Sequence, residues 1–173
     1  YLPFVIKVLA DALRMHPRLN ARWGNDRIYV KKQLNIGIAV ATEDGLVVPV
    51  IREIDVKTIS EIAEQINDLT RRAKEGKLKL EDVQNGTFTL NNTGALGSII
   101  SYPIINYPQA AILTTEAIVK RPIVDSENAI VVRSIMNMAL AFDHRICDGS
   151  EAGNFLAAVK RGLETINSST VVE

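Results

Sequence analysis

The stretch Ile135-Met136-Asn137-Met138-Ala139-Leu140-Ala141-Phe142-Asp143-His144-Arg145-Ile146-Cys147-Asp148-Gly149 carries the reading of this chain. Its first eight residues continue an apolar run that opens at Ala129-Ile130-Val131-Val132. The run is rich in β-branched side chains and too apolar for a strand facing solvent, so it reads as a buried strand. Beyond it, Gly149-Ser150-Glu151 offers a helix start, and Phe155, Leu156, Val159, Leu163 and Ile166 recur at three- and four-residue steps. The segment between is therefore expected on a strand-to-helix loop. There the strand fixes position while the loop backbone aims a reactive side chain.

His144 is one of two histidines. A thiol, with an unperturbed pKa about two units above that of imidazole, is a proton donor that a histidine can serve as general base. Asp148 lies four residues on, near enough to fix the loop or the ring. The plain alternative is a satisfied surface or core histidine. His16, in Arg14-Met15-His16-Pro17, closes an amphipathic helix and reads as structural.

Outward from this loop, Leu2 to Met15 reads as a helix with Val5, Val8, Leu9 and Ala12 on one side, stopped by Pro17. Arg27 to Lys31, Asn35 to Ala41 and Leu46 to Ile51 read as strands, the last two joined by a hairpin turn at Glu43-Asp44-Gly45. Thr58 to Ala73 spaces Ile59, Ile62, Ile66, Leu69 and Ala73 as a helix face, with Thr58 and Glu61 as a capping pair and Gly76 as its end. Strands follow at Thr87 to Asn91, Ala110 to Val119 and Ala129 to Phe142. Antiparallel hairpins beside separate helices predict an α+β domain with a mixed sheet. Gly94-Ala95-Leu96-Gly97-Ser98 has the glycines of a phosphate cradle but neither the spacing nor the lysine of a P-loop, so an ordinary turn is the competing reading.

At 173 residues the chain is one domain, 1–173, long enough to bury a core. Net charge is zero, with 47% hydrophobic and 23% charged residues, so no basic face points to nucleic acid, and no apolar stretch is long enough to span a bilayer. One cysteine, Cys147, leaves no internal disulfide and fits a reducing compartment. No His/Cys cluster suggests a metal. The opening at Tyr1, without a methionine, reads as an N-terminally truncated piece of a longer polypeptide.

Asp143-His144-Arg145-x-x-Asp148-Gly149 resembles the signature of the C-terminal acyltransferase domain of the dihydrolipoamide acyltransferases, the E2 components of the 2-oxo acid dehydrogenase complexes. Further segments resemble the same family in the same order: Leu2 to Lys7, Pro17 to Ala21, Asn35 to Val40, Gly45 to Val50, Phe88 to Gly94 and Pro103 to Ile112. The resemblance runs from Tyr1 to about Leu163. It implies a chloramphenicol-acetyltransferase-like mixed sheet with flanking helices.

The resemblance also implies a reaction. The histidine, here His144, takes the proton from the thiol of coenzyme A or of dihydrolipoamide, and the thiolate attacks the thioester of the other. The residue matching Asp148 orients the active-site loop through an arginine. A hydroxyl from the segment matching Phe88 to Gly94 stabilises the oxyanion; this chain has Asn91 there, with Thr93 and Asn92 as alternatives. Asn92, Thr115 and Glu116 are implied beside the coenzyme A channel. Ala41 stands where family members usually carry an aspartate implicated in coenzyme A binding. The implied partners are two further copies, in a homotrimer that builds a large core with sites between neighbouring chains, and the E1 decarboxylase and E3 dihydrolipoamide dehydrogenase, met through other domains. The lipoyl group rides on a separate domain, and the implied setting is the cytoplasm, or the mitochondrial matrix in a eukaryote.

Three readings stand: the acyltransferase, a structural core subunit without turnover that the Asn91 and Ala41 departures would suit, and a hydrolase using Cys147 beside His144. Acetyl and branched-chain acyl groups lead as substrates, with succinyl third because no basic cluster awaits a second carboxylate. The apolar Ile99, Ile100, Met136, Met138 and the run Tyr102 to Pro108 suit either core packing or an interface.

Overall fold

Three helices cover one face of a mixed five-stranded sheet in the computed structural model, which describes residues 1–167, 169 and 170. The helices are α1 (Leu2–Met15), α2 (Ile59–Lys74) and α3 (Gly149–Glu164). The strands are β1 (Ala21–Gly24), β2 (Arg27–Val30), β3 (Ile36–Ile38), β4 (Val40–Thr42), β5 (Gly45–Val47), β6 (Val50–Ile51), β7 (Phe88–Asn92), β8 (Ala111–Val124) and β9 (Ile130–Phe142). The sheet runs β6-β3-β7-β8-β9, with β3, β7 and β8 parallel and the two edge strands antiparallel to their neighbours. The expected α+β fold with flanking helices is the one observed.

Local chemistry explains the helices. The Thr58 hydroxyl accepts from the Glu61 amide at 3.1 Å while the Glu61 carboxylate accepts from the Thr58 amide at 2.8 Å, the reciprocal cap that starts α2. Gly76 closes that helix at φ +65°, a conformation that costs other residues a Cβ clash. α1 and α3 pack closely: a methyl built on Gly162 would meet Val8 Cγ1 at 2.6 Å. Phe88, Phe155, Leu90, Leu113 and Ile62 are fully buried between the helices and the sheet.

The structure departs from the sequence reading in four places, one being that β8, expected to end at Val119, runs on to Val124. The run Asn35 to Ala41 is not one strand but two, β3 and β4, and Leu46 to Ile51 likewise divides into β5 and β6; β4 and β5 peel away as their own hairpin. β1 was not expected at all. It pairs with β2 across a two-residue turn in which Asn25 and Asp26 both adopt positive φ, the mirror-image turn such hairpins favour. The last departure concerns burial. Ala129 to Phe142 does form a strand, but β9 is an edge, half-buried from Ile135 onward and exposed at Ile130 and Val132. Apolar sequence marks surface to be hidden and does not say whether its own chain hides it.

β8 and β9 outrun the sheet. β7 pairs with β8 only as far as Thr115, after which a bulge sets Glu116 and Ala117 against Asn137 and the pair continues as a two-stranded ribbon. A methyl on Gly94 would lie 2.4 Å from the Glu116 carbonyl carbon and oxygen. Gly94 thus serves close backbone packing on the bulge, and the cradle reading gives way to that role.

Candidate active site

β9 delivers the chain to Asp143, whose amide donates to the Ala110 carbonyl at 2.8 Å. The Asp143 carboxylate then accepts from the Arg145 amide at 3.0 Å and from both edges of its guanidinium, at 3.0 Å from Nε and 2.6 Å from Nη2. The Arg145 donors hold the Asp143 carboxyl below its ordinary value, against the opposing effect of partial burial. Two turn hydrogen bonds, from the Ile146 and Cys147 amides to the Asp143 carbonyl, close the loop. His144 stands on its crest, exposed, with its ring against Phe142 at 5.4 Å between centroids. Among the described residues its imidazole makes no hydrogen bond, so both nitrogens are open to a substrate.

Among the described residues Asp148 forms no ion pair with an arginine. Its carboxylate accepts from the Glu151 amide at 2.8 Å and caps α3, while the nearest loop arginine, Arg145, is taken by Asp143. Asp148 therefore steadies the loop by fixing where the helix begins. Cys147 is buried, and burial first, then the carboxylates of Glu151, Asp148 and Asp143, push its thiol up to about 11. A thiol so held is a poor nucleophile. His16 is structural, edge-on to Phe155 at 6.1 Å.

Asn91 opens on the sheet face away from the helices. It lines a cavity of about 460 Å³ whose walls are largely apolar, including Ala39, Leu46, Val48, Ile104, Ile105 and Ile112. Among the described residues the Asn91 carboxamide makes no hydrogen bond. Thr93 lines the same cavity, but its hydroxyl donates to Glu116 at 2.7 Å, so of these two it is Asn91 whose donor is free among the described residues. Ala41 is exposed and pairs with Leu46 across the β4–β5 hairpin.

The three residues expected at the coenzyme A channel are not brought together. Asn92 and Thr115 are register partners on the helix side, where Thr115 is fully buried and Asn92 Oδ1 accepts from the Tyr1 hydroxyl at 2.9 Å. Glu116, the next residue on β8, points to the other face because successive strand side chains alternate. It is 1% exposed, and its oxygens accept from Ser101 at 2.6 Å and from Thr93. Burial pushes its carboxyl up, and the hydroxyls of Ser101, Thr93 and Ser98 outweigh that and leave it below the ordinary value. Glu116 binds its own loop.

His144 and Asn91 lie far apart within one chain. Asn91 is in register with Thr114 and through it with Ala139, three residues short of Phe142. Three residues along and two strands across place Phe142, against which the His144 ring packs, about 14 Å from Asn91. Sequence reasoning missed Trp23 and the anchoring role of Arg145. The Asn25-Asp26 pair was the available signal for the hairpin, and Trp23 is the sole tryptophan.

A family model described as 2-oxoacid dehydrogenases acyltransferase (catalytic domain) matches residues 1–171. The lipoamide acyltransferase component of the branched-chain alpha-keto acid dehydrogenase complex of Bacillus subtilis is 51% identical over 172 residues, 99% of this chain and 41% of that protein. A succinyltransferase component of the 2-oxoglutarate dehydrogenase complex of Staphylococcus saprophyticus is 43% identical, over 95% of this chain and 39% of that protein. The chain thus spans about two fifths of the length of these curated relatives. A crystal structure of a probable dihydrolipoamide acetyltransferase from Listeria monocytogenes superposes with a TM-score of 0.96 at 46% identity, covering 100% of this chain and 74% of that one. The cubic core of a pyruvate dehydrogenase multienzyme complex gives 0.91 at 31% identity, covering 95% and 68%. A chloramphenicol acetyltransferase shares the fold, with a TM-score of 0.59 at 16% identity over 94% of this chain and 77% of that one.

Proposed function

Because this chain belongs to the family of 2-oxoacid dehydrogenase acyltransferase catalytic domains, we propose that it is a dihydrolipoamide acyltransferase moving an acetyl or branched-chain acyl group between a lipoyl thioester and coenzyme A. His144 takes the proton of the attacking thiol. The thiolate adds to the thioester carbonyl, and the Asn91 amide donates to the oxyanion, an interaction worth roughly 3 to 4 kcal/mol when preorganised in a dry site. As the carbon–sulfur bond to the leaving thiol breaks, His144 returns the proton to that sulfur, so the histidine ends as it began.

The observation that carries the reading is the split between an open imidazole on an anchored loop and a free carboxamide on an apolar cavity. One chain cannot bring them to the same carbonyl, since a base and an oxyanion donor must both lie within about 3 Å of the reacting group. Two chains can, so the site forms between neighbours of a homotrimer, and trimers build the core to which E1 and E3 attach through other domains. The exposed Tyr102, Ile104, Ile118, Ile130 and Val132 supply apolar surface for those contacts. Among the described residues the wall of the cavity beside Asn91 holds no lysine or arginine, which suits an acetyl or branched aliphatic group better than a succinyl carboxylate. Its setting is the cytoplasm, or the mitochondrial matrix in a eukaryote; among the described residues no helix is long and apolar enough to cross a membrane.

The Ala41 departure and the extent of apolar surface favour the second reading, a core subunit without turnover. The test is acyl transfer to dihydrolipoamide from acetyl-, isobutyryl- and succinyl-coenzyme A, comparing the full-length parent with His144→Ala. Transfer that disappears in the variant supports the enzyme. A parent that assembles, by light scattering, yet transfers nothing is a scaffold.

A further inference from the structure

We propose that Trp23, 121 residues before His144 in the chain, is a positioning residue for that histidine and acts through Arg145, a role that rests on the acyltransferase reading. The Arg145 guanidinium lies 5.2 Å from the centre of the Trp23 ring, within the range of a cation–π contact. Its other side grips the Asp143 carboxylate through Nε and Nη2. The guanidinium is thus held between an aromatic face on β1 and a carboxylate at the end of β9, with His144 lying between the two residues of that ion pair.

The hairpin that carries Trp23 is fastened to the same place by its backbone. The Ala110 amide donates to the Ala21 carbonyl at 2.8 Å, and the Ala110 carbonyl accepts from Asp143 at 2.8 Å, so one residue ties β1 to the loop. Ile146, 2% exposed, closes a small apolar cluster with Ala21 and Ala110, against which Trp23 packs. This cluster is separate from the main core. Among the described residues Trp23 is the partly buried hydrophobic side chain packed against it, so the indole contributes to seating the loop.

The imidazole has no hydrogen bond of its own among the described residues. Its direction therefore follows from the Phe142 ring it packs against and from the backbone of Asp143 to Ile146, which the Asp143–Arg145 pair holds together with the Ala110 tie and the two turn hydrogen bonds to the Asp143 carbonyl. Arg145 is well exposed, with 59% of its side-chain surface in solvent. Without an aromatic face behind it the guanidinium is free to leave the carboxylate for water, and the loop loses a clamp that sets where the imidazole points. A misplacement of about 1 Å at a reacting group costs on the order of a hundredfold in rate, so a partial loosening is expected to cost less.

The experiment compares the full-length assembled enzyme with Trp23→Leu, Trp23→Phe, Arg145→Leu and the Trp23→Leu/Arg145→Leu pair, following kcat, the KM for coenzyme A and assembly by light scattering. Tyr29→Leu, on the partner strand of the same hairpin, controls for a general loosening of β1 and β2. Trp23→Leu is expected to lower kcat about tenfold with KM changed less than about twofold. Trp23→Phe keeps an aromatic face and is expected within about twofold of the parent. The double variant is expected to be no slower than Arg145→Leu alone, because two members of one clamp do not add. The proposal is overturned if Trp23→Leu keeps the parent kcat, if its loss multiplies fully with that of Arg145→Leu, or if Tyr29→Leu does the same damage. Transfer absent from the parent defeats the acyltransferase reading itself, whereas transfer that requires His144 and ignores Trp23 defeats the clamp alone.

Discussion

Two impaired variants, His144→Ala and Asn91→Ala, are expected to restore each other when assembled together. Within one chain the register Asn91, Thr114, Ala139 sets Asn91 about 14 Å from Phe142, against which the His144 ring packs, whereas base and oxyanion donor must both lie within about 3 Å of one reacting group. Each site therefore takes its imidazole from one chain and its carboxamide from the next. His144→Ala removes the base and is expected to abolish transfer; Asn91→Ala removes one oxyanion donor and is expected to cost about a hundredfold. In a cyclic trimer refolded from an equal mixture, a site is intact when its imidazole comes from an Asn91→Ala chain and its carboxamide from a His144→Ala chain. Each condition is met about half the time, so about one quarter of parent activity is expected against about 1% or less for either variant alone. The assay is transfer from acetyl- or isobutyryl-coenzyme A to dihydrolipoamide before and after co-refolding, with the variants separately refolded as controls. Activity of the mixture that stays at the average of the two variants refutes the shared site. Asn91→Ala with near-parent activity refutes Asn91 as the oxyanion donor.

Asp148→Ala is expected to lose about 1 kcal/mol of stability with the α3 cap and to slow transfer, while Asp148→Asn, whose side chain caps as well, keeps both; urea unfolding and kcat on the pair separate capping from charge. Phe155→Ala, which removes a fully buried ring packed on Phe88, is expected to cost about 3 to 5 kcal/mol, read by the unfolding midpoint of the assembled protein. The Arg72 guanidinium holds Asp82 and Asp68 below the usual carboxylate range, so the stability those groups contribute is complete above the unfolded pKa of about 4 and is lost as pH falls through their lower folded values. Asp82→Asn is therefore expected to lessen the fall in melting temperature between pH 5 and about 3, and an unchanged acid profile would sink that account.

The parts of the fold that were legible in the sequence are those whose cause is local. Thr58 and Glu61 cap α2 as their spacing predicts, α1 has the expected bounds, and Gly76 ends α2 in the left-handed conformation that glycine alone takes cheaply. The hairpin at Glu43-Asp44-Gly45 formed, since turn chemistry is carried by the turn residues themselves. What escaped were effects of pairing. Nothing in Asn35 to Ala41 says that Ile38 and Val40 join different sheets, and β1 is only four residues long, short enough to pass for the end of a turn.

The same division holds for the site. Sequence placed His144 on a strand-to-helix loop, Asp148 just ahead of the helix that follows, and Asn91 on a strand, because each placement depends on residues a few positions away. Tertiary structure alone decided the rest. It turned Glu116 to the opposite face from Asn92 and Thr115, gave Asp143 rather than Asp148 the arginine, brought Trp23 against Arg145, and left β9 as an edge. These outcomes depend on strand register and on which chain covers an apolar surface. Both are settled by packing energies summed over residues distant in sequence, which no local pattern encodes.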